Sequence, residues 1–206
     1  GVVADEAKRN TYYDYIFHES ERLSRLIANV LQMARLSRDR DALPTVVMTV
    51  GAVLDLARSK VSSAVEAAGF TLTVAVDDEI KKLELRLEED AIIRAFINLV
   101  DNAVKFSKAA TRREIIIGAR IPSQGSNSVD FFVRDFGPGV DQAQKRKLFQ
   151  LFYRAESELT RSTPGTGIGL ALVRELVARM HGTVDVQNEN PGAEFRLRFS
   201  LNRPLR

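Results

Sequence analysis

The chain has no cysteine. That excludes disulfides, thiolate metal sites and a cysteine nucleophile, and it suits a reducing cytoplasmic setting. Long apolar runs are also missing, so nothing in the chain approaches the length of a membrane span. The N-terminus is acidic and polar rather than basic then apolar, so no signal peptide is visible. Charge of one sign is lacking too: 30 Lys and Arg stand against 27 Asp and Glu, interleaved, for a net charge of +3. Such a balance gives little support for nucleic-acid binding. There is no internal repeat and no low-complexity tract. What remains is a chain of 206 residues, 45% hydrophobic and 28% charged, the composition of an ordinary globular protein of one or two domains. Gly1-Val2-Val3 carries no initiator Met and runs straight into helix-like sequence. It reads as a segment cut from a longer protein, whose upstream part could hold a membrane anchor or sensor.

Residues 5 to 38 contain neither Pro nor Gly, and Ile16, Leu23 and Val30 recur every seven residues, flanked by Leu26, Ile27, Met33 and Ala34. This predicts one long helix with an apolar stripe wider than a two-stranded seam, of the kind that seeks partners in a four-helix bundle. Ser37-Arg38-Asp39-Arg40-Asp41 followed by Pro44 marks a linker. From Val46 the pattern becomes α plus β. Helices are expected at 50–67, 88–107 and 167–180. Strands are expected at 70–76, 83–87, 114–121 and 128–135, with a closing hairpin of 183–188 and 193–201 around Asn190-Pro191-Gly192.

Three segments carry chemistry. Asn98, Asn102 and Lys105 lie at i, i+4 and i+7, hence on one helix face. A carboxamide oxygen is a hard neutral ligand suited to Mg²⁺, and an ammonium beside it suits phosphate. The plain alternative is a solvated polar face, which two poor helix formers at this spacing argue against. Asp135 ends an apolar strand and precedes Gly137 and Gly139. Its carboxylate could accept from an exocyclic amine such as that of adenine, while the glycines let the backbone approach a flat base. Taken alone, Asp-x-Gly-Pro-Gly reads equally as a tight turn. The third segment, Gly165-Thr166-Gly167-Ile168-Gly169-Leu170, opens a helix whose free amides suit phosphate oxygens. A Rossmann site is the rival reading, but no strand leads into this loop. The stretch before it is polar, like a lid over phosphates, and Arg154 and Arg161 offer positive charge.

In this order the segments resemble the boxes of a bacterial two-component sensor histidine kinase, within the gyrase, Hsp90, histidine kinase and MutL ATPase superfamily. Asn98 to Ser107 is similar to the N box, Asp135 to Gly139 to the first glycine box, and Gly165 to Leu170 to the second. Leu148-Phe149-Gln150-Leu151-Phe152-Tyr153-Arg154 resembles the aromatic F box, and His181-Gly182-Thr183-Val184 with Gly192-Ala193-Glu194-Phe195 fits the family's ending. The resemblance covers about residues 45 to 201. It implies an α+β fold, a two-layer α/β sandwich of the Bergerat type, behind an N-terminal long helix. It implies ATP or ADP and Mg²⁺ as ligands. Asp135 would take the adenine amine, with Gly137, Gly139 and Val140 beside the base. Asn102, with Asn98, would hold Mg²⁺ through the phosphates. Lys105, Arg154 and Arg161 would hold the phosphate tail, as would Gly165, Thr166, Gly167, Ile168, Gly169 and Leu170. Phe149, Phe152 and Tyr153 would anchor the lid. Asn98 and Lys105 are the residues expected nearest the transfer itself.

His18-Glu19 is followed by Ser20-Glu21-Arg22-Leu23, without the proline of a phosphoacceptor helix. Residues 15 to 36 resemble instead the second helix of the dimerisation domain. The expected organisation is therefore a partial dimerisation helix, 1–40, and a catalytic ATP-binding domain, 45–206. His18 is read as a helix-surface residue and His181 as a helix cap, so the acceptor histidine is expected outside this chain. The implied partners are ATP, a response-regulator receiver domain, and a second copy docking through residues 12–34. Two readings compete with the kinase: a nucleotide-holding regulatory module without turnover, and another superfamily member such as an anti-sigma serine kinase or an ATP-driven clamp.

Overall fold

The computed structural model describes residues 44–153 and 167–201, together with residues 9, 10, 12, 13, 15–17, 19, 20, 23, 24 and 27. Every one of those N-terminal positions is helical. The rest of the helix expected over 5–38 lies outside the described residues, and so do His18, the linker 37–41, Arg154, Arg161, Gly165 and Thr166. No helix among the described residues is long and apolar enough to cross a membrane.

From Val46 the order is β1 (Val46–Thr49), α1 (Val50–Ala67), β2 (Thr71–Ala75), α2 (Asp78–Lys81), β3 (Glu84–Leu87), α3 (Glu89–Phe106), β4 (Glu114–Arg120), β5 (Ser128–Arg134), α4 (Gly169–Arg179), β6 (Thr183–Asn188) and β7 (Ala193–Ser200). β1 and the single-turn α2 were not expected from the sequence. β1 is too short for alternation to register, and it pairs antiparallel with β3 in a separate two-stranded sheet. The main sheet runs β2-β4-β5-β7-β6, with β2 and β4 parallel and the other neighbours antiparallel. With α1, α3 and α4 packed on this sheet, the α+β two-layer expectation holds.

Local chemistry sets these elements. Thr49 caps α1, its Oγ1 accepting from Ala52 N at 3.1 Å. α3 buries Ala91, Ile92, Ala95, Phe96, Leu99, Val100 and Ala103, a stripe at three- and four-residue spacing. Its Phe96 meets Phe131 of β5 edge to face, centroids 5.9 Å apart. Alternation along β5 sends Val129, Phe131 and Val133 to this helix layer and Asp130, Phe132 and Arg134 to the other face. That other face is a lattice of ions. Asp130 holds Arg198 in a bidentate pair at 2.6 and 2.8 Å, and Glu194 lies between Arg120 and Arg196. Arg120 covers the Phe132 ring at 4.8 Å. The sheet thus has one apolar face, and the residue that follows β5 on the apolar parity is Asp135.

Candidate functional site

Asp135 is a carboxyl group on the helix side of the sheet, only 5% exposed. Its main chain continues the sheet, N donating to Ala193 O at 2.9 Å. Its Oδ1 accepts from Gly137 N at 2.8 Å and from Ala193 N at 3.3 Å. Both lone pairs of Oδ1 are thereby used, and no backbone amide among the described residues donates to Oδ2. Burial pushes the Asp135 carboxyl above its ordinary pKa, against the opposing pull of the Gly137 and Ala193 amides, the Ser107 hydroxyl and the Arg134 charge. Gly137 packs too closely on this carboxyl for a side chain to fit without a shift. A Cβ there would stand 2.9 Å from Phe106 O, 3.0 Å from Ser107 Oγ and 3.1 Å from Asp135 Oδ1, so three oxygens converge where the side chain is missing.

The support behind Asp135 is equally specific. Gly192 has φ +98, and a Cβ on it would come within 1.9 Å of Asp135 O, so only glycine fits the turn. The Asn188 side chain grips the glycine loop through Val140, its Oδ1 accepting from Val140 N at 2.8 Å and its Nδ2 donating to Val140 O at 2.6 Å. Gly139 lies against that amide, 3.1 Å from Oδ1 to a built Cβ. Phe136 is held by two guanidinium groups, Arg112 at 3.8 Å and Arg134 at 4.8 Å from its ring centre.

Asn98, Asn102 and Lys105 share the expected face of α3, each partly buried. Asn98 Nδ2 donates to Arg94 O at 2.8 Å. That bond fixes the amide orientation and turns Oδ1 outward. Oδ1 lies 3.2 Å, and Asn102 Nδ2 4.0 Å, from where a Cβ of Gly169 would sit, so the first turn of α4 lies against both carboxamides. Ile168 caps that turn without a side-chain hydrogen bond, leaving the leading amides of α4 to other acceptors. Lys105 differs from expectation in one respect: its ammonium pairs with Asp101, one turn back on its own helix.

The aromatic segment closes this side. Phe149 is buried and meets Phe195 edge to face at 6.4 Å. Tyr153 is half-buried. Phe152, expected to anchor through its ring, is 64% exposed. Its left-handed backbone, φ +61, turns the ring outward, and the anchor is its main chain, Phe152 N donating to Gly167 O at 2.9 Å.

The structure therefore brings together Asn98, Asn102 and Gly169 on one side, and Asp135, Gly137, Gly139 and Val140 on another. Ser107 and Asn188 were missed as site residues. Ser107 stood in the sequence as the last residue of a helical run, and Asn188 as a strand residue before a turn. Nothing in residue type or spacing marks either; only tertiary contact does.

Residues 87–203 match the family model described as histidine kinase-, DNA gyrase B- and HSP90-like ATPase. Among curated proteins, the sensor protein SrrB of Staphylococcus aureus is 25% identical over 189 residues, which are 92% of this chain and 31% of SrrB. The chain thus spans about a third of the length of that relative. Among solved structures, full-length ShkA in complex with AMPPNP superposes with TM-score 0.73 at 26% identity, over 93% of this chain and 38% of that one. The Acinetobacter baumannii histidine kinase AdeS gives 0.69 at 18% identity, over 97% and 86%. The histidine kinase ThkA in complex with the response regulator TrrA gives 0.73 at 19%, over 97% and 53%. The last two show likeness of fold, whereas the family model covers more than half of the chain: this chain belongs to the histidine kinase-, DNA gyrase B- and HSP90-like ATPases.

Proposed function

We propose that the chain is the ATP-binding catalytic part of a sensor histidine kinase. It would bind ATP with Mg²⁺ and present the γ-phosphoryl group to a histidine of the dimerisation helices, for relay to a response-regulator aspartate. The observation that carries this reading is the buried Asp135 carboxyl with Oδ1 saturated by backbone amides and Oδ2 free of them. A buried acceptor of this kind matches the exocyclic amine of adenine. The helix whose end meets Asp135 also carries Asn98 and Asn102, which lie against the uncapped start of α4 and suit a phosphate tail. In this reading Gly137, Gly139 and Val140 flank the base. Phe149 and Tyr153 seat the lid, and Arg154, Arg161 and the Gly165 to Leu170 segment close on the phosphates with Lys105.

No cluster of acidic or histidine ligands that could cage a metal is present among the described residues. The donors that are present, two carboxamides, fit an ion held mainly by phosphate oxygens, with Asn102 and Asn98 completing its shell. Mg²⁺ so bound would neutralise charge building on the phosphates. The chain's own part is positioning: the imidazole nitrogen bonds to the γ-phosphorus, the bond to the β–γ bridging oxygen breaks, and ADP leaves with that electron pair. The AMPPNP held by ShkA and the regulator bound to ThkA support the nucleotide and the relay partner. SrrB is named a sensor protein, and AdeS and ThkA histidine kinases, which does not favour the anti-sigma or clamp alternatives. Self-association through residues 12–34 is part of the proposal, because Ile16, Leu23 and Ile27 are exposed in the single chain. So is a cytoplasmic location.

Calorimetric titration with ADP and ATP, with and without Mg²⁺, tests the site. Absence of binding at millimolar nucleotide would sink the proposal. A monomer in sedimentation at micromolar protein would remove the self-association part.

A further inference from the structure

We propose that Arg134 is a positioning residue that acts on the pocket from the opposite face of the sheet. It ties the glycine loop to the β6–β7 turn and so fixes the two backbone amides that aim the Asp135 carboxylate. The inference rests on the nucleotide reading above and goes beyond it, because Arg134 touches no ligand in that reading. Asp135 Oδ1 is held by Gly137 N and Ala193 N, at 2.8 and 3.3 Å. The first amide belongs to the glycine loop after β5, and the second opens β7. The carboxylate is therefore aimed only as well as those two segments are held to each other.

Arg134 ends β5 and stands on the face away from Asp135. Its guanidinium reaches both segments. On the glycine loop it lies over the Phe136 ring, 4.8 Å from the centroid. On the turn its Nη2 donates to Pro191 O at 3.1 Å, and its Nη1 faces Glu189 Oε2 at 3.8 Å. Glu189 is steadied in turn by Arg196 at 3.6 Å. The strand ladder does not supply this link. The pairing of β5 with β7 ends at Arg134 and Glu194, and Phe136 and Pro191 lie beyond it. Only 17% of the Arg134 side chain is exposed, so the group is set among these contacts rather than free in water. A planar fork can stack by its face and donate by its edge at once, which an ammonium cannot. Two other holds remain without it: Arg112 on the far side of Phe136 and Asn188 on Val140. Loss of Arg134 should therefore loosen the loop without unfolding it.

The test is a cycle between a residue remote from the ligand and one ligand group. ADP and purine riboside diphosphate, which lacks the amine, are titrated into wild type, Arg134→Met and Arg134→Lys. Wild type is expected to prefer ADP, through the bond from its amine to Asp135. Arg134→Met is expected to cut that preference by about two- to tenfold, the worth of one neutral hydrogen bond, and to leave the affinity for the analogue unchanged. Arg134→Lys keeps the charge but not the fork, so a loss of preference of about twofold or more is expected there too. Equal weakening of both nucleotides would reduce Arg134 to general support of the fold. Full preference in Arg134→Lys would leave only its charge. Either result overturns the assignment, and the Lys variant decides alone if Arg134→Met does not fold. A preference kept by wild type and both variants brings down this inference only. A wild type without the preference brings down the Asp135 reading and this inference with it.

Discussion

Replacing Asp135 with Asn removes the charge and keeps the shape. The asparagine carbonyl can occupy the Oδ1 position and still accept from Gly137 N and Ala193 N, the bonds that hold the loop at 2.8 and 3.3 Å. The amide nitrogen then takes the open Oδ2 position, where it would face the adenine amine donor to donor. A hydrogen bond to a charged group is worth about 1.5–3 kcal/mol, which makes nucleotide binding about 10- to 150-fold weaker. The free protein should behave oppositely. Burial disfavours the Asp135 carboxylate, so the variant without ligand should melt at the wild-type temperature or above it. Differential scanning with and without ADP reads both effects. At a ligand concentration of about 100 Kd, wild type gains about 2.7 kcal/mol, or about 5–10 °C for a chain of this size. For a hundredfold weaker variant at the same concentration the gain is about 0.4 kcal/mol, or about 1–2 °C. An ADP shift equal to that of wild type would refute the role of Asp135. A large fall in melting temperature without ligand would show instead that the carboxylate is part of the scaffold.

The same carboxyl makes a signed prediction about pH. Its folded pKa is raised, so its stabilising contribution is full below the unfolded value of about 3.9 and is lost as pH rises through the folded value. ADP affinity runs the other way and should begin to fall, on acidification, above the ordinary carboxylate range; titrations at several pH values check this, and a flat profile down to about pH 4 counts against it. His181 sits at φ +60 in the C-terminal turn of α4, with Gly182 N closing back on Val177 O at 2.9 Å. His181→Gly should therefore raise stability by about 0.5–1 kcal/mol, seen as a higher urea midpoint. Asp101→Asn should change stability by less than about 0.5 kcal/mol, because its pair with Lys105 is a half-exposed one on a single helix. By freeing that ammonium it should tighten ADP at low ionic strength, and a gain that persists at about 1 M salt would argue against this electrostatic cause.

The legible part of this chain was what depends on period and order. The spacing of Ile92, Ile93, Phe96, Leu99, Val100 and Val104 gave α3, and the apolar run that Asp135 ends gave β5. β1 was not legible because four residues carry too little pattern, and because its partner β3 lies 38 residues on from Val46 to Glu84. Ser107 and Asn188 were hidden for a different reason. Serine at a helix end and asparagine before a turn are what local preference places there in any protein. Their second roles exist only once β5, β6 and α3 end at the same point. Phe152 was misjudged on character: an aromatic ring suggested an anchor, and the left-handed backbone made the main chain the anchor instead.

The two ends of the pocket store their specificity differently. At the proposed base end a carboxylate is held out of water, with Oδ1 taken by two backbone amides. In the proposed site an amine donor from the base would offset the cost of burying that charge. At the phosphate end the cation is already partnered, since Lys105 rests on Asp101, and Asn98 has one side of its amide committed to Arg94. In the proposed site phosphate would compete with Asp101 for Lys105, whereas Asn98 Oδ1 carries no such ion pair. On the proposed reading the carboxamides would set where the phosphate tail lies, and the lysine how strongly it is held. That division predicts that changes at Asp101 and Lys105 alter nucleotide affinity with strong salt dependence, while changes at Asn98 and Asn102 remove the benefit of Mg²⁺ at any salt concentration.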